Sequence, residues 1–167
     1  PVILAAGWQF GSGEDLRLGQ LIGFLTASVF LLIWENLTND LFDAETGVDT
    51  FKLHSVVSLT GNKKLIKGLA SFMLFLGLTL MFILALRSQV EVFFLVLGCC
   101  LLGYLYQGPP FRLGYHGLGE PLCFIAFGPL ATAAALLVLS SNESVLKSIP
   151  WQEALTLGSG PAIDRKS

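Results

Sequence analysis

The charges of this chain are crowded into a few short stretches, and the long uncharged gaps between them restrict the fold more than any other feature. Four segments, at about 18–40, 67–87, 90–107 and 119–140, each approach the ~20 residues needed to cross ~30 Å of hydrocarbon. From Gly19 to Trp34 every residue is apolar, small or a neutral hydroxyl or amide. The runs are Leu, Phe, Val and Ile with scattered Gly and Ala, without the polar–apolar alternation over ~10 positions that strands of a membrane barrel require. The expected fold class is therefore all-α, a polytopic transmembrane helical bundle with four complete spans. Gly68, Gly77, Gly98 and Gly103 are expected to let helices approach closely.

Composition agrees and excludes other classes. With 13% charged residues and a mean hydropathy of +0.70, the chain lies far from soluble usage, where about 25% of residues are charged. A net charge of -2 with no basic block argues for no nucleic acid partner. Cys99, Cys100 and Cys123 lack the spacing of a zinc site or a redox pair and read as small membrane-core residues. Pro1 to Gly7 reads as the tail of a helix, too short to span and without the basic flank of a signal peptide.

Counting crossings assigns the loops to faces. If the first span exits at Asp40, the second returns near Arg87, the third comes back near Gln107 and the fourth leaves near Ser141, then loops 41–66 and 108–118 share one side. That side carries Lys52, Lys63, Lys64, Lys67 and Arg112, against Arg17, Arg87 and Lys147 on the other, so the positive-inside bias makes it the cytoplasmic side or its organellar equivalent.

Where the first span emerges, Asn36, Asn39, Asp40 and Asp43 stand at i, i+3, i+4 and i+7, which puts all four on one stripe of a helix. Two carboxylates and two amides are hard oxygen donors, suited to Mg²⁺, which binds through one or two carboxylates while substrate phosphate completes its shell. The absence of His and Cys from the cluster argues against zinc. Gly47 would end the helix and set Asp49 on the following turn; Glu35 falls off the stripe and reads as a helix-end residue. The bland alternative is an ordinary interfacial cap entering a solvated loop, and the further acids Glu45 and Asp49 weigh against it.

The loop from Tyr104 to Pro121 is rich in Gly and Pro and brings Arg112, Tyr106 and Tyr115 to the same face. Arg can hold a diphosphate bidentately and tyrosine can donate to a phosphate oxygen or contact an aromatic acceptor, although a connector with interfacial tyrosines fits the spacing equally. The four lysines either pair with a diphosphate or mark the cytoplasmic side, and Lys52, just after Asp49, has the better functional claim. His54 and His116 are single interfacial polar residues.

Asn39-Asp40-x-x-Asp43-x-x-x-Gly47-x-Asp49, preceded by Asn36-Leu37, resembles the first aspartate-rich motif of the UbiA-type intramembrane prenyltransferases. Tyr106 with Gly108-Pro109, then Tyr115-His116-Gly117-Leu118-Gly119-Glu120 running into Phe127-Gly128-Pro129, is similar to the loop of the branch that prenylates 1,4-dihydroxy-2-naphthoate. Pro109-Pro110-Phe111-Arg112 and Gly119-Glu120-Pro121 look like the plant and cyanobacterial form, which attaches a phytyl chain for phylloquinone. The resemblance implies a bundle of about nine spans, of which residues 1–150 would be the N-terminal part and 151–167 a truncated or divergent tail. It implies Mg²⁺ held by Asn36, Asp40 and Asp43, with diphosphate or acceptor contacts from Asn39, Asp49, Lys52, Tyr106, Arg112 and Tyr115. The partners it implies are a prenyl (phytyl) diphosphate, an aromatic acid acceptor and the lipid bilayer of a plastid, thylakoid or bacterial plasma membrane, for phylloquinone or menaquinone biosynthesis. A second aspartate-rich motif does not occur in these residues, and Asp164 has no partner at the required spacing, so the chain alone is expected to be inactive. Related prenyltransferases acting on homogentisate or 4-hydroxybenzoate, or a helical subunit or transporter segment, are the alternatives.

Overall fold

A computed structural model describes residues 1–46, 55–140 and 149–163. Gly47, Asp49, Lys52, His54, Ser141, Lys147 and Asp164 lie outside the described residues.

Among the described residues every element is helical: α1 (Val2–Gly11), α2 (Leu18–Thr46), α3 (Val56–Thr60), α4 (Lys63–Arg87), α5 (Val90–Gln107), α6 (Gly119–Ile125), α7 (Ala131–Leu139) and α8 (Trp151–Ile163). A 3₁₀ turn at Leu113–His116 precedes α6, and a π turn at Ala126–Leu130 joins α6 to α7. Four stretches are long and apolar enough to cross a membrane: Leu18–Glu45, Lys63–Arg87, Val90–Gln107 and Gly119–Leu139. The four-span helical bundle read from the apolar runs is thus the architecture found, and the chain is an integral membrane protein.

Local chemistry sets the boundaries. α4 starts at Lys63, earlier than the apolar run, because the Asn62 side chain accepts from the Leu65 N–H at 3.1 Å and satisfies one of the amides that a helix start leaves open. The fourth span, read as a segment at about 119–140, changes register part-way along. Pro129 lacks an N–H and its ring crowds the preceding turn, and the backbone widens to the π register there, with the Ala131 N–H reaching the Ala126 carbonyl. That carbonyl also accepts from Cys99 Sγ on α5 at 3.3 Å.

Close helix contacts occur at some of the expected glycines. A Cβ on Gly77 would lie 2.7 Å from Leu31 Cδ2 and 3.3 Å from the Ala27 carbonyl, so this glycine brings α4 against α2. Gly103 does the same for Glu35, and Gly98 meets Leu130 at ordinary contact distance, 3.7 Å. Gly68 meets nothing within 4 Å: it lies one turn into α4, on a side that faces no other helix. Gly158, not anticipated, is the tightest of all, since a Cβ there would sit 2.5 Å from the Gly128 backbone carbon in the π turn.

α7 is the centre of the bundle, buried at every position from Thr132 to Leu139. α1, α5 and α8 pack around it, and Gln9 of α1 donates its amide to the Leu136 carbonyl at 2.9 Å. Hydrogen bonds at the two ends of the bundle agree with the crossing count. At one end Arg17 reaches the Ser140 carbonyl at 3.2 Å and Gln20 reaches the Arg87 carbonyl at 3.4 Å. At the other end α3 and the loop after α5 meet the acidic stripe.

Candidate functional site

The stripe forms because α2 runs on unbroken for 29 residues to Thr46, well past the point where hydrocarbon ends. Its members differ in what they touch. Asn36 is exposed and donates its amide to the Leu32 carbonyl one turn back at 2.8 Å. Asn39 and Asp40 are half-buried, and Asp43 is buried, with 7% of its surface exposed.

Each carboxylate holds a different loop. Asp40 Oδ2 accepts from the Val56 N–H, the first amide of α3, at 3.0 Å. Asp43 Oδ1 accepts from the Tyr115 hydroxyl at 2.9 Å across 72 residues of sequence. The two loops assigned to one face by counting therefore do share it. A hydrogen bond to a charged carboxylate is stronger than one between neutral groups, and here two of them fasten the loops to one helix end.

The second loop is wrapped tightly around its tyrosines. Tyr104 donates to the Pro109 carbonyl at 2.8 Å and stacks edge-on against Phe42 with ring centroids 5.9 Å apart. Tyr106 lies beneath Gly119, where a Cβ would come within 2.7 Å of its ring; α6 can start there only with a glycine. Arg112 occupies the left-handed region with φ 45°, uncommon outside glycine and costly for a long side chain. Its Nε–H is buried with no hydrogen-bond partner among the described residues. A buried, unpaired guanidinium N–H in a strained backbone, on the loop bonded to Asp43, suits a site that an anion completes.

Beneath this end lies an apolar cavity of about 180 Å³, walled by Phe24, Leu31, Met81, Val96 and Phe127 and reaching Tyr106 and Glu35. Here the structure corrects the reading of Glu35 as a helix-end residue. It sits in the body of α2, eight residues before Asp43 and so about 12 Å deeper along the axis. Its carboxylate lies against α5 at Gly103, where a Cβ would be 3.3 Å from Oε1. The signal was present in the sequence: a carboxylate this far inside an apolar helix marks a functional position by default.

On the stripe, Asp40 and Asp43 offer carboxylate oxygens and Asn36 and Asn39 amide oxygens, and among the described residues no three His, Cys, Asp or Glu side chains gather to hold a metal. Two carboxylates on one stripe suit a hard cation whose remaining ligands come from a phosphate substrate and water. Asp49 and Lys52, expected to join them, lie outside the described residues. His116 is exposed in the 3₁₀ turn, as an interfacial residue would be.

Among known proteins, the chain is 49% identical over 122 residues to a 2-carboxy-1,4-naphthoquinone phytyltransferase of Synechocystis sp., covering 72% of this chain and 40% of that protein. It is 42% identical over 125 residues to the chloroplastic 2-carboxy-1,4-naphthoquinone phytyltransferase of Arabidopsis thaliana, covering 74% of this chain and 33% of that one. The chain thus matches well under half the length of either relative. No solved structure matches it. The model of the UbiA prenyltransferase family matches residues 1–159, a span that takes in both loops, the π turn and most of α8. By that match the chain is a member of the UbiA prenyltransferase family.

Proposed function

We propose that this chain is the first part of an enzyme that transfers a phytyl group from its diphosphate to 1,4-dihydroxy-2-naphthoate, with loss of the ring carboxylate, in phylloquinone or menaquinone biosynthesis. The observation that carries the reading is the pair of loop contacts at Asp40 and Asp43, which brings Arg112 and the tyrosines to the same end of the bundle as the oxygen donors. Both relatives' names specify a phytyl donor and a carboxylated naphthalene ring. Those names give the acceptor as the quinone; attack on an allylic cation needs the electron-rich ring, so the two-electron reduced dihydroxy form is the acceptor here.

The allylic carbon–oxygen bond breaks with its electron pair leaving on the diphosphate, and a ring carbon forms the new carbon–carbon bond. The carboxylate departs as CO₂, and its bonding pair restores the aromatic ring. Mg²⁺ held by Asn36, Asp40 and Asp43 together with phosphate oxygens would neutralise the leaving diphosphate. Arg112, with Lys52 and Asn39, binds the diphosphate oxygens, and Asp49 holds an outer-shell position beside the cation's ligands. Tyr115 holds Asp43 in place, and Tyr106 lines the acceptor's side of the site. The membrane is that of a plastid, in keeping with the chloroplastic relative, or a bacterial thylakoid or plasma membrane.

The test uses membranes carrying the intact protein, given phytyl diphosphate and 1,4-dihydroxy-2-naphthoate with and without Mg²⁺. Prenylated product and CO₂ should form in equal amounts, only with Mg²⁺, and D40A and D43A should each lose at least about a hundredfold in rate. Full rate in both alanine variants would overturn the mechanism.

A further inference from the structure

We infer that Glu35 is the hydrogen-bond acceptor that recognises a ring hydroxyl of the aromatic acceptor inside the cavity beneath the acidic stripe. This rests on the prenyl-transfer reading and adds to it the residue that reads the acceptor's oxygen. Nothing in the sequence motifs assigns Glu35 a role, and it stands outside the stripe that faces the diphosphate.

Three observations converge. The cavity wall is otherwise almost wholly apolar, and Glu35 is the one carboxylate among its described residues. Such a group at hydrocarbon depth is kept only where it has polar work to do. Second, α5 makes room for it: Gly103 carries no Cβ, and one would press to 3.3 Å from Oε1 and 3.4 Å from Cδ of Glu35. Third, the volume of about 180 Å³ is close to the ~150 Å³ cavity that accepts a benzene ring. A space of this size admits an aromatic ring.

The chemistry then orients the ring. A phenolic O–H donates to a carboxylate, whereas the acceptor's own carboxylate is repelled by it, so the hydroxyl turns toward Glu35 and the carboxylate away. Tyr106, in the same wall, contacts the ring from the loop side.

The test is equilibrium binding to the intact protein in lipid nanodiscs, with neither donor nor Mg²⁺, comparing 1,4-dihydroxynaphthalene with 1,4-dimethoxynaphthalene, which cannot donate. The wild type should prefer the dihydroxy compound by roughly tenfold or more. E35L should bring the ratio to about one, the isosteric E35Q should leave an intermediate ratio, and G103A should lower it without removing the charge. In turnover, E35Q should raise KM for the acceptor and leave KM for phytyl diphosphate unchanged. An unaltered ratio in E35Q and E35L, or no preference in the wild type, overturns the assignment. Because the ratio is read without catalysis, its failure is distinguishable from a failure of the transfer reaction, which D40A and D43A report.

Discussion

Removing the Tyr115 hydroxyl tests whether the second loop is anchored by Asp43. The bond is 2.9 Å long and its acceptor is a buried carboxylate, a class in which a hydrogen bond contributes about 1.5–3 kcal/mol. Tyr115 is 46% exposed, however, so in Y115F water can reach the vacated side and recover part of the loss. We therefore expect a cost of about 1 kcal/mol, a factor of about five in the folding equilibrium. The assay is a double-mutant cycle on the intact protein in bicelles without Mg²⁺, unfolded by titration with SDS: wild type, Y115F, D43A and the double variant. If the bond is the link, the double variant should be less destabilised than the sum of the singles by about 1 kcal/mol. Strictly additive effects would refute the anchoring and leave Asp43 and Tyr115 as neighbours without energetic coupling.

Three further outcomes follow from the geometry. G158A should loosen α8, because the added carbon would sit 2.5 Å from the Gly128 backbone; a loss of about 1–3 kcal/mol is expected, visible as faster proteolysis of α8. G68A, with nothing within 4 Å, should instead gain about 0.5–1 kcal/mol from the better helix former. R112G should relieve the left-handed backbone at φ 45° and stabilise the protein by about 1 kcal/mol, while KM for phytyl diphosphate rises at least tenfold; unchanged KM would remove Arg112 from the diphosphate site.

The spans and the acidic stripe were legible from the sequence because each depends on one helix alone: apolar length for the first, the 3.6-residue period for the second. Crossing parity extended this to the shared face, which the bond between Tyr115 and Asp43 bears out. What depends on a partner helix could not be read this way. Glu35 was misjudged because its angular position on α2 says nothing about the gap that Gly103 leaves on α5. Gly68 and Gly158 look alike in sequence, yet one meets nothing and the other meets backbone. The break in the fourth span was foreshadowed by Pro129, but a proline permits a kink, a π turn or an end, and the choice is made by what packs beside it.

The π turn at Ala126–Leu130 also governs the rotational phase of the helix that follows. Most helices settle their rotation by turning an oily side inward, but α7 is buried all round from Thr132 to Leu139 and has no such preference. The wider turn takes up one residue more than an α-helical turn, and one residue corresponds to about 100° of rotation. Taken up in the π turn, that residue leaves Thr132 to Leu139 in the phase that gives the Leu136 carbonyl to Gln9. Wound instead into a regular α-helix, the same number of residues would swing Thr132 to Leu139 by about that angle and lose the alignment, with the hydrophobicity of the span unchanged. In this span the count of residues, more than their chemistry, decides which atoms face which neighbour.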